Sequence, residues 1–429
     1  MNGRTRVPVS RRKRLLFGIL TCALAILAVE LVSLTAISFL FGGWTAVRTV
    51  ADGDAGPDLL GSGFDYPDEI VHPYLGWVRK PHPRRPGAPA DLPVNDFGFS
   101  DRGAPLRTRG PGRVVIGILG GSVAEQFAAS ASGTLIDELQ QSPFFTGKDV
   151  AIVRLALPGY KQPQQLLAVN YLLVLGGQFD ILINIDGYNE IALPAVENIP
   201  NHVYAAYPRS WHLRVTEAAS LEVMRSIGRI AHLKDQARSW AALVRARPWC
   251  YSPTLNLAWR LYHSNMRLAL YGEYAILNKL QSGEEAAAAT GPPQNFSSDA
   301  EAYEHCAAIW MRSSLQLHQL CAANDIRYFH FLQPNQYFPG TKVIEGQKKM
   351  EPLRSGDAGR IPVEKGYPLL VREGRSLSDR GVSFTDLTLL FADHPGQMYS
   401  DPCCHLNARG NELMAQKIGD VISQSFSAK

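Results

Sequence analysis

The sequence predicts an α/β protein with a doubly wound, five-stranded parallel sheet, an inserted helical cap and one N-terminal transmembrane helix. Two patterns predict it. Five short apolar runs, rich in Val, Ile and Phe, alternate with segments of mostly helical pattern. Most of these runs are continuous rather than alternating in polarity, as strands covered on both faces are. Ahead of them stands a single apolar stretch long enough to cross a bilayer.

Residues 1–14 hold six basic side chains, Arg4, Arg6, Arg11, Arg12, Lys13 and Arg14. Residues 15–41 form a 27-residue apolar run with one charge, Glu30. That exceeds the roughly 20 residues a spanning helix needs, and the apolar region of about 7–15 residues in a cleaved signal peptide. An uncleaved single-pass anchor in the inner (plasma) membrane is expected. The basic tail places the N-terminus in the cytoplasm and the rest of the chain outside. Glu30 either pairs with another membrane helix or is one acid tolerated in a long apolar run.

Residues 42–110 are rich in Gly, Pro and Asp and read as a linker followed by irregular structure wrapping the main domain. Residues 111–429 carry the strand candidates: RVVIGIL (113–119), DVAIVRLAL (149–157), DILINI (180–185), IRYFHFL (326–332) and VSFTDL (382–387). Helices are expected at about 123–141, 162–176, 300–324 and 408–425, an alternation that implies parallel strands. The connection after the third strand is too long for a simple crossover. Its segment TEAASLEVMRSIGRIAHLKDQARSWAALVRA is strongly helical, so a helical insertion is placed at about 196–300, with a flexible loop at 282–298.

A hydrophobic fraction of 46% and a charged fraction of 19% are those of a globular chain. The net charge of +4 comes from the N-terminal tail: six of the 43 basic residues lie there, leaving 37 against 39 acidic. The body is nearly neutral, without the basic face that nucleic-acid binding needs. Beyond Cys22 in the anchor there are five cysteines, Cys250, Cys306, Cys321, Cys403 and Cys404. The odd number leaves at least one free or paired to another chain. Cys403 and Cys404 read as structural, one bridging to Cys250, Cys306 or Cys321.

Ligands of an open α/β sheet bind at the carboxyl ends of its strands. The first strand ends in LGGSVAEQF, where Gly120 and Gly121 allow a tight turn presenting Ser122 at a helix start, either as an ordinary cap or where free N–H groups stabilise negative charge. The second ends in ALPGYKQ with Gly159, the third in NIDGYNEIA with Asn189, and the last helix is preceded by YSDPCCHLNARGN with Asp401 and His405. Together they suit acyl transfer: serine needs a base, histidine is the usual one, and a carboxylate fixes its tautomer. Adjacent cysteines rarely reach one metal and no second ligand cluster accompanies them, so neither metal nor cofactor is expected. Asp393 and His394 in ADHP are a rival pair lacking the helix-start pattern that follows His405.

These blocks resemble those of the SGNH (GDSL-like) hydrolase family: GGSVA the first, LPGY the second, DGYNE the third and DPCCHLNARGN the last. The resemblance covers about residues 110–195 and 325–429, and implies a flavodoxin-like sheet of SGNH type. It implies a Ser122 nucleophile, a His405 base oriented by Asp401, and an oxyanion hole of the Ser122 and Gly159 N–H groups with the Asn189 amide. Two positions depart from the pattern. Gly121 stands where the family usually has Asp, and Asp401 lies four residues before His405 rather than three. Either the extra residue bulges locally, or Asp401 is not the orienting acid and His405 relies on a backbone carbonyl.

The expected activity is a serine esterase acting on O-acyl, notably acetyl, esters of a carbohydrate or on small esters. Two alternatives stand beside it: an O-acetyltransferase of an envelope or exported polysaccharide, and a catalytically silent envelope scaffold. Gln333, Asn335 and Tyr337, just past a strand end, are candidate substrate contacts, and Tyr204, Tyr207, Trp211 and Phe338 a candidate sugar platform.

Overall fold

A computed structural model of the chain describes residues 11–41, 43, 68–82, 93–215, 221–245, 251–280, 290–341, 359–401 and 403–427. The chain divides into two compact units, one of Tyr66–Ala218 with Gly283–Lys429, the other of Met1–Asp65 with Ala219–Ser282.

The larger unit opens with an antiparallel hairpin, β1 (Glu69–His72) and β2 (Gly76–Arg79). Then follow β3 (Arg113–Gly120), α1 (Ser122–Ser130), α2 (Ser132–Gln140), β4 (Asp149–Arg154), α3 (Gln164–Val174), β5 (Ile181–Asp186), α4 (Tyr188–Leu193) and the short α5 (Trp211–Arg214). After the excursion into the other unit come α6 (Asp299–Ala322), β6 (Arg327–Leu332), α7 (Arg360–Asp379), β7 (Ser383–Asp386) and α8 (Ala408–Ser427). Strands β3 to β7 form one parallel sheet in the order β4-β3-β5-β6-β7.

The continuous apolar runs are explained by two cores, one on each face of the sheet. Val115 and Leu119 of β3 pack with Val169, Leu172, Trp310 and Leu370 from α3, α6 and α7. Val114, Ile116 and Ile118 turn the other way, onto Phe127, Leu135 and Ile418 from α1, α2 and α8. The chain runs from β3 out to the edge strand β4 and back across to the central strand β5. The crevice at the carboxyl ends of β3 and β5 is therefore the topological switch point of the sheet.

Several boundaries differ from those read in the sequence. The expected helix at 123–141 breaks at Ala131 into α1 and α2, and the run at 149–157 is strand only to Arg154. The segment read as irregular contains the β1–β2 hairpin, with Trp77 and Phe99 fully buried. α7 has no counterpart in the sequence reading.

In the second unit, helices Leu221–Arg245 and Pro253–Leu280 form an antiparallel pair, Ser226 meeting Glu273 and Trp240 meeting Tyr262. Helix Arg11–Phe41, 31 residues long, is apolar and long enough to cross a membrane and packs on Pro253–Leu280. Glu30 has partners: its carboxylate accepts from Ser252 Oγ at 2.7 Å, the Thr254 N–H at 2.8 Å and Thr254 Oγ1 at 3.0 Å. It caps the start of the inserted helix. The insertion thus groups with the N-terminal helix over Ala219–Ser282, a narrower span than 196–300, and 290–298 lies in the larger unit.

Candidate active site

The site begins with the turn after β3. Gly120 has φ +136°, and a Cβ there would sit 2.0 Å from the Ile185 carbonyl oxygen of the neighbouring strand. Only glycine fits, and the turn it permits makes Ser122 the first residue of α1. The early N–H groups of a helix have no intrahelical acceptor, so this serine stands where negative charge is stabilised.

His405 Nε2 lies 2.8 Å from Ser122 Oγ, and His405 Nδ1 is hydrogen-bonded to Asp401 Oδ2. The two residues are 283 positions apart in the chain and meet at the carboxyl end of the sheet. Asp401 Oδ1 accepts the backbone N–H groups of Cys403 at 2.9 Å, Cys404 at 3.2 Å and His405 at 3.3 Å. The loop is closed by Ser400 N–H to the His405 carbonyl and Asn407 N–H to the Met398 carbonyl, both 2.9 Å. The carboxylate therefore orders its own loop.

The side chains of His405 and Asp401 are 21% and 36% exposed, so both are open to solvent. Burial disfavours charge on Asp401, but the hydrogen bond and charge of His405 and the backbone donors outweigh it, holding the carboxyl below its ordinary value. For His405, burial works against the imidazolium, and the hydrogen bond and charge of Asp401 overcome it. The imidazole titrates above its ordinary value.

Asn189, second residue of α4, donates Nδ2 to the Tyr160 carbonyl at 2.8 Å, leaving the amide's second N–H for another acceptor. A Cβ at Gly121 would lie 2.1 Å from this Nδ2. The serine turn, the Asn189 amide and the Gly159–Tyr160 turn thus converge. The same distance explains glycine at 121: any side chain there displaces Asn189. Gly159 has φ +82°, and the Arg209 guanidinium occupies the space a Cβ would take.

Other sequence-predicted residues fall as follows. Gln333 and Asn335 are buried at the end of β6, and Gln333 Nε2 and Asn335 Nδ2 have no hydrogen-bond partner among the described residues. Tyr337 and Phe338 are half-buried against the core beneath α3, α6 and α7. Tyr204, Tyr207 and Trp211 are half-buried and meet edge to face, with ring centroids 5.9 and 6.4 Å apart. Asp393 is exposed, and the bond to Ser122 is made by His405. Cys306, Cys321, Cys403 and Cys404 are free thiols, so the expected bridge to Cys306 or Cys321 is not formed; Cys250 lies outside the described residues. Cys403 and Cys404 Sγ are 3.0 Å apart, and with a His405 nitrogen fall within 4.8 Å of one another. Both ring nitrogens of His405 are already engaged, so it would ligate a metal only by releasing Ser122 or Asp401.

Some supporting residues were not anticipated. Gln336 Nε2 donates to the Asp401 carbonyl at 2.9 Å, tying the loop after β6 to the acid–base loop. Glu125, one turn past Ser122, is paired with buried Arg79 of β2 and accepts from Ser100 at 3.0 Å. Tyr160 OH donates to the Trp77 carbonyl at 2.6 Å, and Arg209, bonded to the Pro158 carbonyl at 3.2 Å, pairs with Glu69 of β1. The β1–β2 hairpin therefore braces the Gly159 turn. Beneath the third strand end, buried Asp186 accepts from Trp310 Nε1 at 2.7 Å and meets His330 Nε2 at 2.8 Å. Glu190 is pushed up to about 8 by burial and the nearby charge of Asp186. No protein-family model and no curated protein matches the chain.

Proposed function

We propose that the chain is a membrane-anchored, extracytoplasmic serine esterase of the SGNH type, with a flavodoxin-like sheet, that removes O-acyl groups, notably acetyl, from a carbohydrate. The observation that carries this reading is the relay from Ser122 Oγ to His405 Nε2 at 2.8 Å and on from Nδ1 to Asp401. In it, His405 takes the Ser122 proton as Oγ attacks the ester carbonyl carbon. The oxyanion is met by the Ser122 and Gly159 N–H groups and the free N–H of Asn189. Collapse releases the alcohol, which takes the proton from His405, and leaves an acyl-serine. Water then attacks with His405 again as base, and the carboxylic acid departs. Asp401 stays ionised throughout, stabilising the imidazolium.

A fluorophosphonate probe tests the reading. It is expected to label Ser122 alone, and His405→Ala is expected to slow labelling sharply because the hydroxyl loses its base. Single-turnover cleavage of a chromogenic acetyl ester, with and without oligosaccharide acceptors, identifies whether water or a sugar hydroxyl receives the acyl group. Transfer to sugar would assign the same acyl-serine to an O-acetyltransferase. A folded protein that takes the probe elsewhere, or not at all, would refute the acyl-serine.

A further inference from the structure

Helix Arg11–Phe41 carries its one acid, Glu30, well inside the apolar run, and that acid is spent on the start of helix Pro253–Leu280. The contact continues outward along both helices. Ser33 Oγ and Thr254 Oγ1 are 3.0 Å apart, Ile37 is fully buried against Leu257 and Phe41, and the Arg260 guanidinium lies over the Phe41 ring. Residues 30, 33, 37 and 41 thus meet 252, 254, 257 and 260 in order, so the two helices run parallel. The antiparallel helix Leu221–Arg245 then places the closed end of the hairpin at the level of Glu30.

Depth follows from helix geometry. Glu30 is 15 residues beyond Leu15, or about 22 Å at 1.5 Å per residue. A hydrocarbon layer is about 30 Å thick, so Glu30 lies roughly 8 Å inside the face away from the basic tail. The surface presented there is of matching character. Trp240, Leu243, Tyr251, Leu255, Leu261 and Tyr262 are all exposed, and Trp and Tyr are the side chains that favour the bilayer–water boundary. Several of them, with Trp259, line an apolar recess of about 550 Å³ between the two helices. Residues 240–244 and 253–259, nearest the closed end, include no charged residue, whereas Arg225, Arg229, Lys234, Asp235, Arg238, Arg260, Arg267 and Glu273 lie further out.

We infer that the inserted hairpin is a second membrane element. Its closed end enters the leaflet away from the basic tail, and its recess takes a hydrocarbon chain of a surrounding lipid. The inference rests on the reading that Arg11–Phe41 spans the membrane. The insertion is then a monotopic anchor added to a spanning one, its buried depth fixed by the Glu30 cap.

The test uses the full chain in lipid nanodiscs, with nitroxides at exposed positions introduced as Leu243→Cys, Leu255→Cys, Ile276→Cys and Leu24→Cys. The accessible native cysteines are replaced by serine. Collision accessibility to oxygen is compared with that to a water-soluble nickel chelate. Labels at 24, 243 and 255 are expected to favour oxygen, and the label at 276 the chelate. A lipid carrying a diazirine in its acyl chain is expected to crosslink to peptides containing 240–262 as well as to the first helix. If 24 lies in lipid while 243 and 255 favour the chelate, the hairpin inference is wrong and the anchor stands. If 24 favours the chelate, the spanning helix itself is wrong and the inference falls with it. Dipolar broadening between labels at 243 that disappears on dilution with unlabelled protein would assign the face to a second copy and overturn the lipid.

Discussion

Adding one methyl group at Gly121 should disable the candidate oxyanion hole without touching the nucleophile, base or acid. The backbone at Gly121 has a negative φ of −91°, so Gly121→Ala meets none of the left-handed strain that a positive φ imposes. The new Cβ would lie 2.1 Å from Asn189 Nδ2, where ordinary contact begins at 3.4 Å, so the amide must retreat by more than 1 Å. Displacing the Asn189 donor should cost about 10²–10³ in kcat, or roughly 3–4 kcal/mol of transition-state stabilisation. The lost bond to the Tyr160 carbonyl should cost about 1 kcal/mol of stability. Acetyl-ester turnover gives the first quantity and chemical denaturation the second. The decisive comparison is with Asn189→Ala. If the methyl acts through Asn189 alone, the double variant should turn over no more slowly than Asn189→Ala, since the nearest atom outside Asn189 is the Tyr160 carbonyl oxygen at 3.3 Å, which need give by only about a tenth of an ångström. Additive losses, or Gly121→Ala at wild-type kcat, would refute the assignment of Asn189.

Four further outcomes are expected. The acid limb of kcat/KM should have its midpoint above the ordinary histidine value of about 6.5, because Asp401 raises His405 and only the neutral imidazole is a base. Asp401→Asn leaves the burial that opposes the imidazolium, so the midpoint should move to lower pH while kcat falls by up to about 10⁴; an unmoved midpoint would mean another group orients the ring. Arg79→Ala strands Glu125 in a site where the arginine side chain is only 4% exposed, and should destabilise the fold by about 3 kcal/mol, with Arg79→Ala/Glu125→Gln recovering much of it in the same denaturation assay. A C-terminal reporter active only outside the cytoplasm should be active on this chain; activity of a cytoplasm-only reporter would reverse the orientation.

The sheet was legible because β3 and β5 are buried on both faces, which leaves nearly uninterrupted apolar runs in the sequence. Ser122, Gly159, Asn189 and the 401–405 loop were legible because each follows a strand or precedes a helix. α7 was not, since it contains Gly366, Pro368 and Gly374, which argue against a helix on propensity. Packing overrides that preference: a Cβ at Gly366 would lie 2.2 Å from Ile191, and one at Gly374 the same distance from the Phe384 ring. The β1–β2 hairpin was hidden by two four-residue strands in Gly/Pro-rich surroundings, and with it the Arg79–Glu125 pair, whose partners are 46 residues apart. Local pattern does not encode a contact at that separation. The partners of Glu30 were hidden for the same reason, being over 220 positions away.

That last contact bears on how the protein is retained. The chain passes between its two units three times, near residues 65, 218 and 283. A protease that cuts between the first helix and residue 65 severs only one of these passages. Tyr66–Ala218 remains joined through Ala219–Ser282, and that insertion is held to the first helix by the cap on Glu30, the Ser33–Thr254 contact and the buried Ile37. On the reading that the first helix spans a membrane, a single clip leaves a nicked protein that should still sediment with membranes. Shedding a soluble fragment requires cuts at both ends of the insertion as well.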